Sequence, residues 1–242
     1  MDIDFFSKWT KPMAWVLGWL YADGYLIKNG SFHIELKDEE IVKKIKELIK
    51  TDNNILKRKI RRGYSYRLSI QNKKMFNDLT NLGLTPKKSL TIKFPQIPNG
   101  FLQEFVRGYF EGDGCFLYRK NYYNSKYAGN LLTSFTCGSR GFLEVLRHEL
   151  LKLRFKPQKV FKRINVSAFE LRISGLDFPI WLYDNCAELY LKRKYNKLIS
   201  IKEKLTNKID KKMFYKGRHF GLNTEFKKNH VPWNKQLGGG AS

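Results

Sequence analysis

Two aspartates, Asp23 and Asp113, close two copies of one short pattern, "WVLGWLYADGYL" over residues 15–26 and "FVRGYFEGDGCF" over 105–116. Each copy passes through apolar residues, a glycine, an aromatic and a small residue into Asp-Gly. One such copy alone would read as a helix-end turn, since Asp-Gly is a common turn dipeptide. Two matched copies in one chain call for a chemical reason. A helix C-terminus carries roughly half a negative charge, and two carboxylates placed side by side at two such ends repel unless a cation lies between them. Hard divalent cations such as Mg²⁺ accept oxygens from one or two carboxylates and complete their shell with water and substrate phosphate. The pair therefore predicts a metal site open to a phosphate backbone.

The segments before the acids must bring them together. Small residues recur every fourth position, at Ala14, Gly18 and Ala22 and again at Gly108 and Gly112, which lines one face of each helix with a smooth stripe. Glycine within a helix costs about 1 kcal/mol relative to alanine, so its repetition predicts two helices whose backbones meet. Gly24 and Gly114 predict helix ends in a left-handed residue, with Asp23 and Asp113 at the two C-termini.

The rest of the chain repeats in the same order. After the first motif, "YLIKNGSFHIELK" reads as two strands joined at Asn-Gly, and "DEEIVKKIKELIK" (38–50) as a surface helix with Ile41, Ile45, Leu48 and Ile49 on one face. A second hairpin over 54–70 turns at Gly63, and a further helix ends at Gly83. The second half offers a hairpin with a long loop, a helix, a hairpin, and one or two helices. The fold class predicted is α+β: two pseudo-twofold αββαββα halves, each with a curved antiparallel sheet, packed through the two motif helices. The halves span 1–95 and 96–205, followed by a basic extension over 206–237 without clear periodicity, read as an extended arm; the closing "GGGAS" at 238–242 resembles a linker.

Composition narrows the partner. With 242 residues, 42% apolar and 15% aromatic, the chain can bury a real core and is not of a disordered class. Its 46 Lys and Arg against 22 Asp and Glu give a net charge of +24, which calls for a polyanion. Nucleic acid is the first candidate. No apolar run is long enough to span a bilayer, no secretory leader is evident, and a reducing interior compartment is the default. Cys115, Cys137 and Cys186 have neither an even number nor metal-ligand spacing, and His219 and His230 lack a completing ligand set.

Basic residues concentrate on the expected strands. No acid lies between Asp52 and Asp78, while Lys57, Arg58, Lys59, Arg61, Arg62, Arg67, Lys73 and Lys74 fall inside that interval. Alternation puts Lys57, Lys59 and Arg61 on one face, opposite Leu56 and Ile60. Lys159, Arg163 and Arg172 lie on comparable strands of the second half, and Lys28, Arg119, Tyr123 and Lys126 accompany the first hairpins. Such surfaces can meet phosphates through Lys and Arg and base edges through Arg, Asn and Tyr. A solvated strand face is the plainer alternative.

The sequence resembles the LAGLIDADG homing endonucleases of the monomeric, two-motif kind, with the family motif at Val16–Gly24 and Val106–Gly114 and the likeness running over about residues 8–205. The letters depart at Tyr21, Glu111 and Gly112, while both final acids are intact. The resemblance implies cleavage of both strands of a long DNA site across the minor groove, with the sheets in the flanking major grooves and no obligate protein partner. It implies Mg²⁺, replaceable by Mn²⁺ or Ca²⁺, between Asp23 and Asp113, with the Ala22 and Gly112 backbone carbonyls as further ligands. It also implies a basic residue near each acid, Lys88 in "PKKSL" and Lys194 in "LKRKYNK", with Lys87, Lys192 and Arg193 as adjacent alternatives, and a polar position at Lys37 whose counterpart is Gly138. The chain neither begins with Cys or Ser nor ends in His-Asn, so an intron-encoded or free-standing enzyme fits better than a self-splicing element. An RNA maturase or a DNA-binding regulator on the same scaffold is the alternative.

Overall fold

The computed structural model describes residues 1–27, 29–119 and 130–214, and its side chains except those of 119, 130 and 206–214. Lys28, Tyr123 and Lys126 lie outside the described residues, as does the side chain of Arg119.

Two helices form the axis. Helix α1 (Lys11–Asp23) starts where Thr10 Oγ1 accepts the Met13 amide at 3.2 Å and carries a proline in its first turn, which suits a helix start. Helix α4 (Leu102–Asp113) ends in the second acid. Residues Met13 to Tyr21 of α1 are all buried, so this helix is core on every side. The small-residue stripe is used as its spacing predicts. A Cβ at Gly18 would sit 2.2 Å from the Phe105 carbonyl oxygen, and one at Gly108 would sit 2.1 Å from that of Trp15. Neither position has room for even a methyl group.

The helix ends differ from the left-handed geometry expected. Gly24 has φ −80° and ψ 157°, and Gly114 has φ −100° and ψ 166°, both extended. Each glycine leads straight into a strand, and it is small because a side chain would collide with the preceding turn. A Cβ at Gly24 would meet Leu20 at 2.7 Å and one at Gly114 the Phe110 ring at 2.1 Å.

Each half carries a four-stranded antiparallel sheet. In the first, β1 (Gly24–Ile27), β2 (Ser31–Leu36), β3 (Ile55–Ile60) and β4 (Gly63–Gln71) lie in the order β1-β2-β4-β3. In the second, β5 (Gly114–Arg119), β6 (Asn130–Cys137), β7 (Phe161–Lys162) and β8 (Phe169–Ser174) repeat it as β5-β6-β8-β7. Helices α2 (Glu39–Ile49) and α3 (Lys73–Asn81) serve the first half, and α5 (Arg140–Lys152), α6 (Asp177–Tyr183) and α7 (Lys192–Phe214) the second. Phe32, Ile34, Leu68 and Ile70 of the first sheet and Phe116, Phe135, Leu171 and Ile173 of the second are buried in one core with the axial helices. The molecule is thus α+β with two pseudo-symmetric halves.

Helix α7 runs to Phe214, past the boundary at 205 and into the stretch read as an extended arm. Ile209 and Met213, four residues apart among lysines, are a sparse helical signal. Among the described residues no helix is long and apolar enough to cross a membrane.

Candidate active site and nucleic-acid interface

Register defines what each sheet face presents. Gly24 pairs with Ile34 and Ile34 with Leu68, all on the helix-covered side. Residues one step away therefore point to the opposite face. Tyr25 pairs with His33, His33 with Ser69, Glu35 with Arg67, Leu56 with Arg67 and Arg58 with Ser65. That face is polar. In the second half Cys115 pairs with Ser134, Ser134 with Arg172, Thr136 with Glu170 and Phe161 with Glu170. Asp23 and Asp113 directly precede β1 and β5, so the acids lie where the two sheets meet the axial helices.

The two acids are neighbours. A Cβ at Gly112 would sit 2.8 Å from Asp23 Oδ2 and 2.4 Å from the Ala22 methyl, so the glycine is what lets the carboxylate lie against α4. Burial first and repulsion from Asp23 second push the Asp113 carboxyl up to about 6. Burial also raises Asp23, against the opposing pull of Lys88 and Lys194. Both residues are open to solvent at the surface, yet the packed helix ends withhold water from their inner sides. Two acids made hard to ionise in this way are an arrangement that a shared cation would relieve.

Two lysines complete the cluster, and they are Lys88 and Lys194. Lys88 opens a short 3-10 turn (Lys88–Leu90) and is 7% exposed, with Nζ donating to the Ala22 carbonyl at 3.2 Å. Lys194 lies in the first turn of α7 and is equally buried, with Nζ donating to the carbonyls of Phe110 and Gly114, each at 2.6 Å, over the Phe110 ring. Burial lowers both ammonium groups, and that of Lys194 falls to about 8 with Arg193 adding to the effect. Lys87 and Lys192 are exposed. Arg193 instead forms a two-pronged pair with Asp38, at 2.7 Å to each oxygen.

The Ala22 carbonyl, expected among the metal ligands, accepts from Lys88 in this structure. Among the described residues no cluster of three His, Cys, Asp or Glu occurs. The donor set is therefore two carboxylates with carbonyls nearby. It fits a hard cation that draws its remaining ligands from water and phosphate.

The basic residues fall on different surfaces. Arg67 and Arg172 belong to the polar faces, and Arg163 Nε lies 3.7 Å from Glu170. Lys57 and Lys59 pair with Tyr66 and Tyr64, on the helix side of β3, where Lys57 Nζ lies 4.2 Å from the Tyr64 ring centroid. Arg58, opposite Ser65, takes the polar face in their place. Arg61 lies in the β3–β4 turn, and Lys37 and Lys159 are exposed beyond the strand ends.

Several site residues escaped the sequence reading. Glu111, fully buried, accepts from Trp15 Nε1 at 2.9 Å and from the Leu191 amide at 2.8 Å, so it fixes the chain just before Lys194. Arg107, equally buried, donates to the carbonyls of Leu189 at 2.8 Å and Leu182 at 2.9 Å. A charged residue inside an apolar helix was the available signal. Glu35 and Glu170, on the polar faces, each bind a serine and an arginine.

A pseudo-symmetric saddle on two glycine-faced helices, with an acid at each helix end and a buried lysine beside each, defines a paired two-acid centre. That architecture is the LAGLIDADG homing endonuclease fold. A structure of I-SmaMI bound to cleaved DNA superposes with a TM-score of 0.57 at 14% identity, over 87% of this chain and 93% of that one. I-LtrWI bound to target DNA gives 0.53 at 14% identity over 86% and 92%, and I-WcaI bound to its DNA recognition sequence gives 0.51 at 16% over 81% and 90%. At such identities the likeness shows the fold. No family model matches the chain. A protein of Methanocaldococcus jannaschii described as a probable translation initiation factor IF-2 is 28% identical over 184 residues, which are 70% of this chain. The chain spans only 14% of that protein's length.

Proposed function

We propose that the chain is a site-specific DNA endonuclease of the homing type that cuts both strands of a long duplex target as a monomer with a divalent cation, Mg²⁺ in the first place. One observation carries the reading. Two mutually repelling carboxylates end adjacent helices, each with a buried lysine on the carbonyls of its own helix end, at the inner edge of two polar sheet faces on a chain of net charge +24.

Asp23 and Asp113 would hold the cation through their carboxylate oxygens, facing a scissile phosphate in each strand. A bound hard cation supplies charge neutralisation at the phosphoryl oxygens and a more acidic water. Lys88 Nζ and Lys194 Nζ would stabilise charge that develops on the phosphate or exchange a proton with the attacking water. With its ammonium lowered to about 8, Lys194 can do either near neutral pH. The arginines of the polar faces would meet the major groove.

Cleavable sites selected from a randomised duplex library supply the substrate for the test. Single-turnover cutting is expected with Mg²⁺ and not with EDTA. Asp23→Asn or Asp113→Asn is expected to abolish double-strand cleavage while duplex binding persists. Salt-dependent DNA binding without any metal-dependent cutting would turn the reading toward a maturase or a regulator. Full cleavage by both variants would end it.

A further inference from the structure

Both polar sheet faces carry a group at odds with their proposed partner. Each holds a carboxylate among its arginines, Glu35 in the first half and Glu170 in the second, where an acid repels a phosphate backbone. Both are already engaged. Glu35 Oε1 accepts from Ser65 Oγ at 2.6 Å, and Oε2 accepts from Arg67 Nε at 2.7 Å, lies 2.5 Å from its Nη2, and lies 3.7 Å from Arg58 Nη1. Glu170 is 6% exposed, and its Oε1 accepts from Ser134 Oγ at 2.5 Å and from Arg172 Nε at 2.7 Å. The Arg172 guanidinium also lies over the Phe161 ring, 4.7 Å from its centroid. In Glu35 the Ser65 hydrogen bond leads, and with Arg67 and nearby arginine charges it holds the carboxyl below its ordinary value against burial. In Glu170 burial pushes the carboxyl up most strongly, but the Arg172 and Ser134 hydrogen bonds and nearby arginine charges together hold it below.

An arginine presents five N–H donors in a rigid planar fork. A carboxylate on the Nε edge leaves the end-on pair of donors pointing outward, and that pair matches O6 and N7 of guanine in the major groove. A carboxylate can also accept directly from cytosine N4, but Ser65 and Arg67 already take one oxygen each of Glu35, and in Glu170, which is 6% exposed, Ser134 and Arg172 share Oε1 while Oε2 faces Arg163 at 3.7 Å.

Resting on the duplex-DNA reading above, we propose that Glu35 and Glu170 are positioning residues that fix Arg67 and Arg172 as readers of one guanine in each half of the target. The two readers are not equivalent by the pseudo-twofold. Gly24, Ile34 and Leu68 form one cross-strand row and Gly114, Phe135 and Leu171 its counterpart. Arg67 precedes Leu68, whereas Arg172 follows Leu171. The readers are thus offset by two residues along matching strands, about 7 Å at the usual rise, or about two base pairs. The two guanines therefore stand at unequal distances from the target's centre.

The test selects bound duplexes from a randomised library with the full chain in EDTA, so that cutting plays no part. Arg67→Lys keeps the charge and removes the fork, and it is expected to erase guanine at one position only. Glu35→Gln is expected to reduce the same preference about tenfold or more while binding to unrelated duplex stays level or tightens, because a negative charge has been removed. Glu170→Gln and Arg172→Lys should repeat this at one position in the other half. A merely structural role for the acids would weaken binding at every position alike, and that result overturns the proposal. So does a Glu35→Gln preference identical to the parent's, or loss of a cytosine where Arg67→Lys keeps its guanine. Absence of any salt-dependent duplex binding would remove the DNA-binding reading itself, whereas binding without an Arg67-dependent guanine sinks this proposal alone.

Discussion

The motif helices of the two halves end in the same acid but are anchored differently. Counting back from each aspartate, Tyr21 of α1 and Glu111 of α4 hold the same place in the motif. Tyr21 donates its hydroxyl to the Leu82 carbonyl at 2.6 Å, a neutral bond to the end of α3. Glu111 is a buried carboxylate that accepts from both α1 and the start of α7. The lysines follow suit, Lys88 with one carbonyl at 3.2 Å and Lys194 with two at 2.6 Å. Helix and acid are repeated; the scaffolding that positions the lysine is not. If the two acids share the proposed chemistry, their unequal support should make the halves fail unequally.

The largest expected effect is common to both halves and marks what they share. At Gly108 or Gly18 an added Cβ meets a backbone carbonyl at 2.1 or 2.2 Å, so neither neighbour can rotate away. Gly108→Val is expected to cost about 4 kcal/mol or more, beyond ordinary overpacking, and Gly18→Val about as much. Urea unfolding measures both. If either valine is tolerated with a near-parental midpoint, the axial helices do not meet as closely as the structure has them.

The lysines sharpen the contrast between the halves. Each Nζ donates to the end of only one axial helix, so under the proposed nuclease reading each is expected to serve chiefly the strand cut at that helix's acid, although the Lys88 charge bears on both carboxylates. Lys88→Met or Lys194→Met should slow one strand about 10²- to 10³-fold, the usual result of deleting one preorganised donor, and leave binding near normal. Nicked circles should then accumulate on a plasmid carrying the selected target. Equal slowing of both strands would show that the centre acts as one unit, and an unchanged rate would remove that lysine from it.

How much of this was readable in the letters depends on whether spacing or register decides it. Helical spacing points Gly18 at the other motif helix and Asp23 toward Asp113, because a four-residue repeat of small groups in both helices marks a close backbone approach, and Gly18 does meet α4. Lys88 and Lys194 stood among equally basic neighbours, and burial separated them. The strand β3 shows where pattern runs out. Alternation correctly set Lys57 and Lys59 opposite Leu56 and Ile60, but Ile55 gives the other parity an apolar residue too, so the helix-covered face could not be told. Pairing with Tyr66 and Tyr64 settles it and brings Arg58 to the polar face. A glycine that closes a helical pattern predicts a left-handed cap at Gly24 and Gly114; direct continuation into a strand makes them extended. The bonds from Glu35 to Arg67 and from Glu111 to Leu191 join residues far apart in sequence, and neither leaves a local trace.

The smallest effect tests the motif position where the halves diverge. Tyr21→Phe removes one hydrogen bond and should cost about 1 kcal/mol. Glu111→Gln turns an amide N–H toward either the Trp15 or the Leu191 donor, leaving that donor unmet, and should cost about 2 kcal/mol. Acidity gives the second readout. Burial lifts the Glu111 carboxyl from an ordinary 4.5 to about 7 in the folded chain. Between those values the folded state holds a proton that the unfolded state has lost, so Glu111 makes stability fall as pH rises from about 4.5 to about 7. The downward slope over that window should be shallower in Glu111→Gln than in the parent and unchanged in Tyr21→Phe, whose phenol stays protonated throughout. Parallel parent and Glu111→Gln curves from pH 5 to 8 would mean that the buried acid does not titrate there, and the electrical difference between the halves would reduce to one of shape.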